Sequence, residues 1–294
     1  MIDSHSHTFY SKHAVGSVDE LVCASIAAGV TILTITDHAP FIVDSGNRLL
    51  EAELEQYFTD IDNARRAYSG EITLLSGLEL DYMPGTENDT RVLLARYPID
   101  FAIGSIHYVK LDHEPMVKVW ELPRLAGEAF LQRYFGSLQG LLESGLFDAV
   151  GHADSLLRGI PEAQFLRYFE PLLGVLAHSS IAWELNASGL RKTTLDPMSG
   201  QEVDGLLSYP SSTLLAQLID LNVPLTIGSD AHDPRDAGAG IAELMHELSL
   251  QGLQHLSYFR QRQRTDIALD DLLSAITPKP KPKPKPKTKT GILP

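Results

Sequence analysis

Apolar residues along this chain fall into two alternating rhythms. Runs of strand length rich in Val, Ile and Leu occupy residues 30–38, 72–81, 101–107, 147–154, 181–186 and 224–232, and a shorter one opens the chain over residues 1–7. Between them, apolar positions recur at helical spacing over residues 17–29, 50–64, 122–144, 161–177, 213–221 and 240–252. Ser17 with Glu20 three residues later forms a capping box for the first helix, and Gly29 suits its end. Short apolar strands alternating with helices predict a parallel sheet with both faces covered. Seven strands are expected in all.

Each of those strands ends on polar residues. The ends read Asp37-His38, Glu79 with Asp81, His107, His152 with Asp154, Glu184 with Asn186, and Asp230 with His232. In α/β barrels and open α/β sheets the functional site lies at the C-terminal strand ends. The fold therefore gathers His5, His7, His38, Glu79, His107, His152, Asp230 and His232 around one mouth. His5 and His7 stand two apart, so a strand turns both rings to one face, where they can hold one metal ion. Taken alone, a His-x-His pair is equally at home on a surface strand. Asp3 shares that face and is expected to accept a ring N–H of a ligand histidine.

Composition narrows the picture. At 294 residues and 44% hydrophobic content the chain can bury a large core, and one α/β barrel of about 250 residues accounts for it. The single cysteine, Cys23, cannot form an internal disulfide and is expected as a small buried residue of the first helix. No apolar run reaches membrane-spanning length and no basic-then-apolar leader opens the chain, so a cytoplasmic protein is expected. Net charge is −14, but Lys279, Lys281, Lys283, Lys285, Lys287 and Lys289 supply six of the 24 basic residues. Without them 18 basic residues face 38 acidic ones, a balance of −20. Such a body repels nucleic acid, and no basic groove interleaved with aromatics offsets that. A metal cluster could still attract a small phosphorylated molecule.

The motifs His5-x-His7, Thr36-Asp37-His38, Gly77-Leu-Glu79, Ser105-Ile-His107, Gly151-His152-Ala-Asp154 and Ser229-Asp230-Ala-His232 occur in the order seen in the polymerase and histidinol phosphatase (PHP) family, which this chain resembles from residue 3 to about 240. The resemblance implies a distorted seven-stranded (β/α)7 barrel of TIM-like type with three divalent metal ions. One ion would take His5, His7, Glu79 and Asp230, a second Glu79, His107 and His152, and a third His13, His38 and His232. Glu79, Asp230 and His232 would stand closest to the chemistry, with Asp3, Asp37 and Asp154 as outer carboxylates. Imidazole with carboxylate suits Zn²⁺, Fe²⁺ or Mn²⁺ better than Ca²⁺ or Mg²⁺. Three such ions against two carboxylates leave about +4, enough to draw phosphate into an acidic body. A metal-bridging hydroxide would then attack the phosphoryl group directly.

Substrate choice is expected from the loops. The segment from Asn186 to Lys192 resembles the stretch that supplies a phosphate-binding arginine in histidinol phosphatases of the family, with Arg191 the nearest match and Arg158 a second candidate. L-histidinol phosphate is thus the expected substrate, a nucleotide or another small phosphomonoester the second reading, and a non-catalytic module the third. Phe41 and Tyr108 are candidate pocket walls. His113, His178, His246 and His255 lie away from strand ends and are expected on the surface or in packing. Two units are expected, a catalytic domain over residues 1–277 and a Lys/Pro-rich tail over 278–294. The tail's alternating Pro and Lys predict a disordered, polyproline-like arm without a catalytic role.

Overall fold

Seven parallel strands form the frame of the computed structural model, which describes residues 1–112, 115–204 and 209–276. They are β1 (Ile2–Asp3), β2 (Ile32–Ile35), β3 (Thr73–Asp81), β4 (Phe101–Ser105), β5 (Ala149–Val150), β6 (Ala182–Asn186) and β7 (Leu225–Gly228), each paired with its successor. β1 and β7 then meet. Ser4 N–H donates to Ile227 O, Asp230 N–H to His5 O and His7 N–H to Ala231 O, each at 2.8 Å, which closes the sheet into a barrel. At this seam the chains approach so closely that a Cβ on Gly228 would lie 2.3 Å from His5 Cβ, so glycine is required there. His113, the boundary at 277 and the Lys/Pro stretch lie outside the described residues.

The strand runs form strands because both faces are buried. Outward residues such as Leu33, Leu78 and Trp183 pack beneath the surrounding helices in one large core. Inward residues Phe101, Ile103, Ala149 and Ala182 form a second, smaller core inside the barrel, completed by Phe259. Phe259 arrives on a hairpin (His255–Arg260 with Gln263–Ala268) that the sequence pattern did not predict. Its ring stacks on Phe101 at 5.1 Å, and its turn residues, Gln261 and Arg262, both take left-handed backbone angles. Arg262 forms a short ion pair with Asp148 and donates to Leu146 O at 2.7 Å, so the hairpin is bolted across the barrel floor.

The helices follow the expected order with local changes. α1 (Val18–Ala27) carries the Ser17/Glu20 capping box, and α2 (Leu54–Ala67) buries Leu54, Tyr57 and Ile61. A helix at Glu87–Arg96, α3, was not predicted; its only buried residue is Thr90, so it lacks an apolar stripe to read. The single helix expected over 122–144 begins instead at Glu128, α4 (Glu128–Ser144), after a short turn that ends at Gly127. The one expected over 161–177 divides into α5 (Glu162–Phe169) and α6 (Leu173–Ala177), because Pro171 has no N–H to continue the ladder. Then come α7 (Ser212–Asp220), α8 (Ile241–Leu250) and α9 (Leu269–Ile276). Cys23 corrects an expectation: it is exposed, with Sγ 3.3 Å from Tyr68 Oη, because α1 turns Leu21, Val22 and Ser25 inward. Among the described residues no helix is long and apolar enough to cross a membrane.

Candidate metal centre

Beyond β1 the chain stays extended and carries His5 and His7, both fully buried, into the barrel mouth. Their Nε2 atoms converge to 3.0 Å. Two carboxylates close on the same point. Glu79 Oε2, from β3, lies 3.4 Å from His5 Nε2 and 3.6 Å from His7 Nε2, while Asp230 Oδ1, just past β7, lies 3.8 and 3.3 Å from them. A tetrahedral ion bound at about 2.1 Å needs donor separations of about 3.4 Å, so these four side chains fit one.

Glu79 is the hub of a larger patch. Its other oxygen, Oε1, faces His152 Nε2 at 3.0 Å and His107 Nε2 at 3.4 Å. His38 Nδ1 lies 2.9 Å from Oε2, yet both atoms are buried and, among the described residues, without a hydrogen-bond partner. Buried polar atoms left in that condition suit an ion that accepts their lone pairs. At the outer edge His13 Nε2 and His232 Nε2 meet at 3.0 Å, and the His7 and His232 rings stand 4.2 Å apart. All nine residues of the expected ligand set therefore lie in one continuous cluster.

The strand ends that carry the cluster are strained. Asp230 has φ +52° and His152 φ +24°, left-handed values costly for non-glycine residues, which cluster at functional sites. Burial opposes charge throughout the cluster, and its partners decide the outcome. The Glu79 carboxyl is held well below its ordinary pKa, because His38, His107 and His5 outweigh its burial. Asp230 is likewise held well below, mainly by Lys192 and His5. Burial would depress His5, but Glu184, Glu79 and Asp230 raise it well above the usual imidazole value. His7 goes well below, through burial and the neighbouring His232. Burial also lowers His13, His38 and His232.

A second set of groups fixes the rings, and most of it was not anticipated. Glu184 Oε1 sits 2.5 Å from His5 Nδ1, while its Oε2 accepts from His152 N–H at 2.8 Å and Asn186 Nδ2 at 3.1 Å. Glu184 ends its strand in the same manner as Glu79, which was the available signal. Asp81 Oδ1 lies 2.9 Å from His107 Nδ1 and its Oδ2 accepts from the buried Arg48 at 2.7 Å. Ser11 Oγ lies 3.1 Å from His7 Nδ1 and donates to Asp37 at 2.6 Å.

The expected outer carboxylates are placed differently from the sequence reading. Asp3 touches neither histidine ring. It accepts from Ser229 N–H (2.9 Å), Ser229 Oγ (2.6 Å) and Gly238 N–H (3.2 Å), pinning the turn before Asp230. Asp37 accepts from Thr8 and Ser11 and reaches His7 only through Ser11; burial pushes its carboxyl up to about 6. Asp154 is buried, accepts from Ser211 N–H at 3.2 Å, contacts none of the clustered histidine rings, and is pushed up by burial to about 7.

Above the cluster opens a cavity of about 410 Å³. Arg158 lines it, with Nε donating to Thr193 O at 2.6 Å and Nη2 to Thr193 Oγ1 at 3.1 Å. Arg191 does not line it. Its guanidinium turns to Ser229 O (2.7 Å) and Ala239 O (3.2 Å), while the next residue, Lys192, faces the cavity with Nζ 3.0 Å from Asp230 Oδ2. Tyr108 forms part of the wall as expected, but Phe41 belongs to a separate groove. His178, His246 and His255 are exposed and remote from the cluster.

Seven parallel strands with a buried histidine and carboxylate cluster at their C-terminal mouth define a barrel hydrolase of metal-dependent type. The chain belongs to the PHP domain family, whose model matches residues 3–188. It is 30% identical over 275 residues to the Deinococcus radiodurans protein named "Probable histidinol-phosphatase", spanning 90% of this chain and 98% of that one. It is 26% identical to the histidinol-phosphatase of Bacillus subtilis, over 80% of this chain and 95% of that one. Among solved structures it resembles the histidinol phosphate phosphatase of Lactococcus lactis complexed with zinc, L-histidinol and phosphate. That match has a TM-score of 0.73 at 21% identity and covers 90% of this chain and 98% of that one.

Proposed function

We infer that this protein is a metal-dependent phosphatase that hydrolyses L-histidinol phosphate to L-histidinol and phosphate, a step of histidine biosynthesis, with residues 1–277 as the catalytic unit. The observation that carries the reading is the convergence of the four donors of His5, His7, Glu79 and Asp230 at 3.0–3.8 Å beneath a cavity lined by Arg158 and Lys192. Family membership and near full-length similarity to histidinol-phosphatases support the same conclusion.

Three zinc, iron or manganese ions are the proposed complement. His5, His7, Glu79 and Asp230 would hold the first, Glu79, His107 and His152 the second, and His13, His38 and His232 the third. When bound, such ions supply Lewis acidity to phosphoryl oxygens and lower the pKa of coordinated water. The residues of this chain do the rest. Glu79 offers one oxygen to each side of the cluster and so fixes the spacing of two sites. Glu184 and Asp81 sit at the far nitrogens of His5 and His107, which leaves each Nε2 lone pair free to face inward. Arg158 and Lys192 bring positive charge to the cavity, where the phosphate dianion would sit; Asp230 draws Lys192 over the site.

The test compares kcat/KM of the metal-loaded protein on L-histidinol phosphate, an aryl phosphate and nucleoside monophosphates. Histidinol phosphate should be hydrolysed best; a nucleotide in first place would overturn the substrate assignment. Metal analysis is a separate check, and fewer than two equivalents in the fully loaded protein would contradict the three-ion arrangement.

A further inference from the structure

One wall of the cavity takes no part in holding ions. It is built by the segment after His107, where a short antiparallel ribbon pairs Tyr108 with Lys118 and Val109 with Val117. Val119 N–H extends the ribbon by donating to His107 O at 3.0 Å, which ties the following residue, Trp120, to the backbone of a proposed ligand. Val117 and Val119 are buried beneath the ribbon, and Trp120 projects into the cavity with 44% of its surface exposed. Its ring centroid lies 6.4 Å from that of His107 and meets Tyr108 edge-on at 5.6 Å. Tyr108 is itself fixed, since its hydroxyl donates to Asp44 at 2.8 Å and accepts from Arg48 at 3.1 Å. Trp120 is therefore a large aromatic face on a rigid support, one ring-width from the metal cluster.

The face already attracts a cation. Lys118 Nζ stands 5.3 Å from the Trp120 centroid. An indole face that receives a flat, electron-poor or cationic group suits an imidazole ring. The rest of the cavity is mostly charged or imidazole, and its two carboxylates, Glu79 and Asp230, are committed to the metal cluster.

We propose that Trp120, braced by Tyr108, is the specificity-determining residue that stacks on the heteroaromatic ring of the substrate while its phosphate lies over the metals. The proposal rests on the phosphatase reading above. Stacking on an exposed aromatic platform acts on the whole bound substrate and not on the phosphoryl group, so it lowers KM and leaves kcat almost alone. It also favours ring-bearing phosphomonoesters over ring-free ones.

The experiment measures kcat and KM for wild type, Trp120→Ala and Trp120→Phe, all metal-loaded, on L-histidinol phosphate, an aryl phosphate and the ring-free phosphoethanolamine. Trp120→Ala should raise KM for histidinol phosphate about 10-fold, as loss of one stacking contact predicts. Its kcat should stay within about twofold, and KM for phosphoethanolamine should not move. Trp120→Phe keeps a ring face and should recover most of the loss. An equal KM change on ring-bearing and ring-free substrates, an unchanged KM on histidinol phosphate, or a loss confined to kcat would each overturn the proposal. Should wild type fail to hydrolyse histidinol phosphate, the assigned function falls on its own. Trp120 is then judged by the same comparison between the aryl phosphate and phosphoethanolamine.

Discussion

Replacing Glu184 with Gln should weaken metal binding without unfolding the protein. The two oxygens of Glu184 face three donors: His5 Nδ1–H at 2.5 Å, His152 N–H at 2.8 Å and Asn186 Nδ2 at 3.1 Å. A carboxylate satisfies all three because it only accepts. A Gln amide cannot. With its NH2 toward His5, the ring must accept at Nδ1 and carry its proton on Nε2, the atom aimed at Glu79, His7 and Asp230. With its NH2 toward His152 and Asn186, donors oppose donors and a buried backbone N–H loses its partner, at about 1–3 kcal/mol. Either orientation disturbs a proposed ligand histidine through its neighbour, which costs about 10- to 100-fold in metal affinity or activity, or about 1.4–2.7 kcal/mol. Zinc affinity measured against a competing chelator, together with kcat at saturating metal, reads the effect, and an unchanged melting temperature within a few degrees confirms the fold. Wild-type zinc affinity and turnover in Glu184→Gln would show that His5 does not depend on this contact.

Two further outcomes follow from groups outside the cluster. Arg262→Ala removes the partner of the buried Asp148 and the donor to Leu146 O, so it should cost about 3 kcal/mol and lower Tm by roughly 5 °C; an unchanged thermal midpoint would mean that the hairpin does not brace the barrel floor. Asp154, fully buried and pushed up to about 7, holds its proton more tightly in the folded protein than the ordinary 3.8 allows, so its contribution to stability is lost as pH rises from about 4 to about 7. Asp154→Asn should therefore gain stability relative to wild type across that window, by at most about 4 kcal/mol, and chemical denaturation at pH 5 and pH 8 would refute this if the difference between the two proteins were the same at both.

The barrel was legible because its signal is local and repeated: each strand is a short apolar run that stops on a metal-capable or polar residue, from Asp37-His38 to Asp230 and His232. What escaped depends on contacts between distant segments. Phe259 lies among Arg260, Gln261, Arg262 and Gln263 and reads as surface, yet the hollow beneath Phe101 and Ile103 buries it. Glu184 shows the strand-end pattern, but its pairing with His5 spans 179 positions and appears only when β1 and β6 converge. Arg191 sits at the spacing expected for a phosphate-binding residue, but the carbonyls of Ser229 and Ala239 capture its guanidinium and Lys192 faces the cavity. Asp3 shares a strand face with His5, as the two-residue period requires, but strand periodicity says nothing of Ser229, which reaches Asp3 across the closing seam.

That seam explains why the site and the fold stand or fall together. His5 and His7 follow β1, and Asp230 follows β7, so the strands that close the barrel also bring together three of the four donors of the tightest group. Asp230 sits at φ +52°, a conformation that costs of order 1–3 kcal/mol for a residue with a side chain and persists only where its surroundings impose it. The imposing contacts are visible. Asp3 accepts from the N–H and hydroxyl of Ser229, Arg191 donates to the Ser229 carbonyl, and Asp230 N–H donates to His5 O. Ser229 is thus held at both its N–H and its C=O, leaving Asp230 to turn its carboxylate toward His5 and His7. Gly228 permits the close approach that makes this turn reachable, since any side chain there would collide with His5. A change at Asp3, Arg191 or Gly228 therefore alters barrel closure and metal geometry at once, whereas a change at Trp120 or Arg158, which belong to the loops above, alters only what the cavity receives.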